Sequence, residues 1–125
     1  MSGERKVLEP EVEHKLAAAW PSEEDRAAAR AELSRYGVES YERETERVRL
    51  AIIKLSGGAL GELRRMTDAA KGDYRDVLMW AESPEEAKAL WAMNPNLTDE
   101  QRLELKAIRR RDRAQMDAWL RKSQE

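Results

Sequence analysis

The chain has 125 residues, 38% of them charged, and a formal net charge of -2. That length suits one domain with its own core, and signs so evenly mixed point to solvated helix faces carrying i,i+4 ion pairs. The absence of cysteine excludes thiol catalysis, cysteine-held zinc or iron–sulfur sites and disulfide staples, and no apolar run approaches the ~18 residues of a membrane span.

Residues 1–9 alternate charge, hold Gly3 and offer little to bury. They are expected to form a flexible segment ahead of a single all-helical domain over 10–125. They also lack the apolar centre of a signal peptide, so the expected setting is cytoplasmic, with no membrane contact. Pro10 suits the first turn of a helix over 10–20, with Val12, Leu16, Ala19 and Trp20 on its apolar face. Pro21 stops it, because the residue before proline is pushed out of helical geometry. Ser22 caps a second, alanine-rich helix whose first turn, Glu23, Glu24 and Asp25, complements the helix dipole. That helix continues through Leu33 and Tyr36 to a C-terminal cap at Gly37.

The stretch Arg47 to Gly58, RVRLAIIKLSGG, is apolar nearly all round. Val48, Ala51, Ile52 and Leu55 form one face, and Leu50 and Ile53 add a second flank. A helix apolar on two flanks is sandwiched between others, so this one is read as the central post, over about 41–56. Ser40 opens it, and Gly57 and Gly58 stop it. A helix over 59–71 follows, with Leu60, Leu63, Thr67 and Ala70 on one face, and ends at Gly72. Asp73 caps the next, over 74–82, which turns Tyr74, Val77, Leu78 and Ala81 inward. Ser83-Pro84-Glu85-Glu86 reads as a capping box with proline at the first helical position; on that reading Ser83→Ala costs about 1 kcal/mol. The short helix it opens carries Ala87, Leu90, Trp91 and Met93, and Asn94-Pro95-Asn96 breaks it. A second capping box, Thr98-Asp99-Glu100-Gln101, opens the longest helix, over about 99–122. Period-2 alternation is absent. The fold expected is all-α, a single-domain bundle of five to six helices around the central one.

Tyr36-Gly37, Arg47-Val48, Lys54-Leu55-Ser56-Gly57-Gly58, Asp73-Tyr74-Arg75-Asp76-Val77-Leu78 and Ala81-Glu82 resemble the corresponding parts of short bacterial helical proteins. Those proteins share an RV-x-LAI-x-KLSGG stretch followed by DYRDVL-x-x-AE. The resemblance covers roughly residues 20–85. It implies a bacterial, cytosolic, helical protein and brings no activity and no site residue with it.

Chemistry has few footholds. His14, the only histidine, follows Glu11 by one turn, a spacing used by di-iron carboxylate bundles. Those need two such pairs and two more glutamates. One histidine cannot supply them, so His14 reads as an exposed residue and no metal or cofactor is expected. The same shortage removes most histidine-based hydrolases. The glycines of Ser56-Gly57-Gly58-Ala59-Leu60-Gly61 lack the following Gly-Lys-Ser/Thr and the preceding strand of a phosphate loop, and read as punctuation. The helices either side of Gly72 have the outline of a helix-turn-helix. Asp73 and Asp76 would face phosphates there, which opposes DNA binding; a core hairpin with Arg75 paired to Asp73 or Asp76 is the plainer reading.

The last helix says most. At 100° per residue Leu105, Ile108, Met116 and Trp119 share a face, with Asp112 in its middle and Arg109 beside it. A buried unpaired carboxylate is costly. Either the helix splits, its part beyond Arg109 projecting or meeting a partner, or it folds back whole and Asp112 pairs with an arginine. In the first case Met116, Trp119 and Leu120 form a patch rimmed by Arg113, Arg121 and Lys122, a composition that suits protein interfaces. The function expected is a non-enzymatic protein–protein interaction or regulatory module. Its partner-binding residues would be Arg109, Arg111, Arg113, Met116, Trp119 and Leu120, with Trp119 as anchor and a protein, or a second copy of the chain, as partner. The alternative is a nucleic-acid-associated helical protein using the Arg109 to Arg113 run, a reading the acidic balance opposes.

Overall fold

The RVRLAIIKLSGG stretch becomes α3 (Thr45–Ser56), the third helix of the computed structural model, which describes residues 8–93 and 95–122. Val48, Leu50, Ala51, Ile52, Ile53 and Ser56 of α3 are all buried. Around it stand α1 (Pro10–Ala19), α2 (Glu23–Leu33), α4 (Leu60–Gly72), α5 (Tyr74–Glu82), α6 (Pro84–Ala92) and α7 (Asp99–Lys122). Helices α1, α4 and α5 pack directly on α3, and α2 packs on α4. They contribute Val12, Leu16, Leu33, Leu63, Val77 and Ala81 to a continuous core in which each of those side chains is fully buried. Each large apolar side chain buried this way contributes roughly 1.5–3 kcal/mol.

Seven helices stand among the described residues, where five to six were expected. Asp73 is extended (φ -155°, ψ 103°) and Ser83 is also out of helical geometry (φ -135°, ψ 47°), so residues 60–92 form three separate helices, at the breaks read at Gly72 and Ser83.

The central helix also begins later than Ser40. The segment 37–42 is folded around the buried carboxylate of Glu42, whose Oε1 accepts from the backbone N–H groups of Gly37 (2.9 Å), Val38 (3.0 Å) and Glu39 (3.2 Å). Its Oε2 accepts from Lys71 at 2.8 Å. Burial alone would raise the Glu42 carboxyl; the Lys71 and backbone hydrogen bonds outweigh it and hold the group down at about 2. Glu44 is left-handed (φ 54°), which keeps the helix from starting before Thr45. Helix α2 likewise ends at Leu33, short of Gly37. The chain then tightens into i→i+3 hydrogen bonds at Arg35 and Tyr36, and Tyr36 is fully buried with its hydroxyl donating to the Arg43 carbonyl at 2.6 Å.

Other local signals appear as read. Ser22 accepts from the Asp25 N–H, Asp73 from the Arg75 N–H, and Thr98 and Gln101 cap each other reciprocally. Arg75 pairs with Asp73. Of the segment 1–9, residues 1–7 lie outside the described residues; Leu8 is buried and Glu9 pairs with Arg49 at 3.1 Å. No helix is long and apolar enough to cross a membrane among the described residues.

Candidate functional site, a groove between α3 and α7

Helix α7 turns Leu105, Ile108, Asp112 and Met116 inward as one stripe. Asp112, 3% exposed, pairs with no arginine among the described residues. Its carboxylate instead caps α6 from another helix. The first N–H groups of a helix have no partner within it. In α6 the proline at position 84 has no N–H, and Ala87 donates to the Ser83 carbonyl. The two left over, Glu85 and Glu86, donate to Asp112 at 3.3 and 2.9 Å. A carboxylate at a helix N-terminus also complements the dipole. The capping box at Ser83 is thereby corrected: the Ser83 side chain makes no capping hydrogen bond, because Asp112 occupies the position it would fill.

The other side of the same joint is closed by a cation. Lys54, from α3, donates to the carbonyl of Ala81 in the last turn of α5, where a positive charge complements the dipole. Burial lowers the Lys54 amine; Asp112 and Glu82 act against that fall. Two ion pairs flank the joint, Arg47 with Glu82 and Arg109 with Glu86. Arg47, Lys54, Ala81 and Glu82, far apart in the sequence segments quoted above, thus meet at one place.

Past Arg109, α7 keeps contact with the rest of the fold. At its C-terminal end the Lys15 ammonium donates to the Trp119 carbonyl and sits 4.1 Å from the centre of the Trp119 ring. Held at α6 and again at α1, α7 spans α3 and leaves a groove of about 580 Å³ beneath it. Leu50, Met116 and Leu120 give the groove apolar surface. Arg47, Arg109 and Arg113 supply its positive charges, and Glu46, Glu82, Glu86 and Asp117 its negative ones. A hollow of about 390 Å³ shares Glu46, Leu50, Asp117 and Leu120 and carries the groove on toward Arg121. The groove's charged lining is thus mixed in sign.

The six residues expected to bind a partner divide in three. Arg109, Arg113, Met116 and Leu120 line this one groove. Arg111 is exposed and lines none of these hollows. Trp119 is half-buried against the core and stacked on Lys15. Met116 is itself buried, at 8% exposure, so it forms groove wall.

Sequence reasoning missed two features. The lysines at 15 and 54 sit beside apolar neighbours, Leu16 and Ile53, and that adjacency was the available signal. The second is α6, which buries none of its residues. Trp91 is 88% exposed there, Leu90 46%, and Leu103 on the facing helix 66%. An adjacent Leu-Trp pair reads equally as core or as surface, so no sequence pattern marked it.

His14 is exposed. Among the described residues no group of three or more His, Asp or Glu side chains is placed to hold a metal ion. Comparison with known proteins finds no matching family model, no matching curated protein and no matching solved structure.

Proposed function

We propose that the chain is a non-enzymatic protein–protein interaction or regulatory module whose contact surface is the α6–α7 hairpin. The observation that carries this reading is Trp91, 88% exposed on a helix none of whose residues is fully buried, with Leu90 and Leu103 also exposed on the same hairpin. Large apolar side chains gathered on one exposed element mark interaction sites, and Trp is the residue type most enriched among binding hot spots. The groove along α7 supplies a second, polar-rimmed contact. Arg109, paired with Glu86, and Arg113 then set polarity there.

The Arg109 to Arg113 run supports a nucleic-acid reading less well, because Arg109 is already held by Glu86 and Arg113 shares its groove with four acids. A bacterial cytoplasm fits the proposed role, since the chain has no cysteine to use in an oxidising compartment.

The test is affinity purification of the tagged chain beside its Trp91→Ala variant. A protein that co-elutes stoichiometrically with the first and is lost from the second, at unchanged melting temperature, supports the module. Nuclease-sensitive absorbance at 260 nm would support the nucleic-acid reading in its place.

A further inference from the structure

A separate cleft of about 430 Å³ lies between α1, the end of α3 and the end of α7, and shares no lining residue with the groove. Its charged lining residues are Lys15, Lys54 and Lys122, with no acid among them. Ala18, Ala19, Ile53 and Trp119 provide apolar wall. Lys54 is balanced from behind by Asp112 and Glu82. Lys15 is 4% exposed, spends its ammonium on a carbonyl and a ring face, and forms no ion pair with a carboxylate among the described residues. Burial lowers its amine; Glu11 works against that fall and the nearby Lys122 adds to it. Burying a cation is costly, and a like charge beside it adds to the cost. An anion entering the cleft would offset both.

We propose that this cleft is a binding site for a small organic phosphate, a phosphate monoester carrying an apolar or aromatic body. Three ammonium groups in a lining without acids match a doubly charged phosphate better than a singly charged carboxylate, and lysine binds phosphate as a point charge. The apolar wall of Ala18, Ile53 and Trp119 takes the body, and the cleft volume falls within the usual range for small-molecule sites.

The experiment titrates the full chain with phenyl phosphate and, separately, with inorganic phosphate. Calorimetry gives the affinity, and amide and indole N–H shifts give the location. Phenyl phosphate is expected to shift Gly57, Gly58 and the Trp119 indole, and to bind about tenfold more tightly than inorganic phosphate. Lys122→Ala and Lys15→Met should each weaken it by about tenfold or more, with helical content unchanged. Lys122→Glu, at the exposed end of α7, removes the site without touching the core and guards against a folding defect in the Lys15 variant. Absence of shifts at millimolar phenyl phosphate would overturn the proposal. So would shifts centred on Arg109 to Arg113, or affinity untouched in all three variants. Equal affinity for inorganic phosphate would overturn the organic part of the ligand class.

Discussion

The carboxylate of Asp112, in the middle of α7, closes the N-terminus of α6 by accepting from the Glu86 N–H at 2.9 Å. The contact joins residues 26 positions apart and fixes three things together: where α6 starts, how α5 and α6 bend at Ser83, and which face of α7 turns inward.

Asp112→Ala leaves the Glu85 and Glu86 N–H groups without their acceptor and opens a gap beneath α7. The expected loss is about 2–3 kcal/mol, the range for hydrogen bonds to a charged group. Asp112→Asn keeps an acceptor and should lose less. Ser83→Ala should cost only a few tenths of a kcal/mol, far below a working N-cap. Urea denaturation of the three variants checks this, and equal losses for Ser83→Ala and Asp112→Ala would show that the cap is local after all.

Glu42 makes stability depend on acid pH. Its folded-state carboxyl lies at about 2, against an ordinary 4.5. A depressed carboxyl binds fewer protons folded than unfolded, so its contribution is complete above about 4.5 and disappears as pH falls toward 2. The shift corresponds to something on the order of 3 kcal/mol. Glu42→Gln should flatten that part of the profile and lower stability at neutral pH. Denaturation midpoints between acid and neutral pH test it; a Glu42→Gln profile as steep as the parent's would assign the acid sensitivity elsewhere.

Gly37 and Gly57 both have positive φ, +101° and +59°, yet they should respond differently to alanine. A Cβ on Gly37 would fall 2.7 Å from Cγ2 of Thr45 and 3.1 Å from an Arg49 guanidinium nitrogen, while one on Gly57 meets nothing within 4 Å. Gly57→Ala therefore carries only the left-handed penalty of roughly 1–2 kcal/mol. Gly37→Ala adds displacement of Thr45 at the start of α3 and should cost clearly more. Thermal melts of the two variants, read side by side, decide whether the loop before α3 is as tightly fitted as its geometry indicates.

Trp119 and Lys15 hold the end of α7 to α1. Trp119→Ala removes a half-buried ring and its ring–ammonium contact, for an expected loss of about 2–3 kcal/mol. Lys15→Met keeps the apolar stem while removing a poorly compensated buried charge, and should be neutral or stabilising. A strongly destabilised Lys15→Met variant would show that the ammonium's bond to the Trp119 carbonyl outweighs its desolvation.

How far the sequence carried these features follows from the range of the interactions. The burial of α3 and the caps at Ser22, Asp73 and Thr98 depend on residues within a few positions of one another, and apolar spacing and capping chemistry expose them directly. The α6 cap does not, because its acceptor belongs to α7. Ser83 looked sufficient on local grounds, and Asp112 looked like an unpaired charge in an apolar seam; each resolves the other only once α6 and α7 lie side by side. The late start of α3 has a similar cause, since the Glu42 carboxylate that folds back the segment before it is completed by Lys71 from α4. Of the groove, the α7 wall (Arg109, Arg113, Met116, Leu120) was visible as a face of one helix. The opposing wall from Arg47, Leu50 and Glu82 required the packing. Exposure of Trp91 was not readable, since a short helix with an adjacent Leu-Trp pair fits a core as well as a surface.

The most direct measurement of the central claim is co-elution of a stoichiometric protein partner with the wild-type chain and with Trp91→Ala, alongside the melting temperature of each. The account predicts a partner retained by the first and lost by the second, with melting temperatures that coincide, because Trp91 is exposed and supports little of the fold. A partner retained equally by both chains would contradict it and move the contact surface off the α6–α7 hairpin; a melting temperature that falls sharply in the variant would place Trp91 in the packing of the domain.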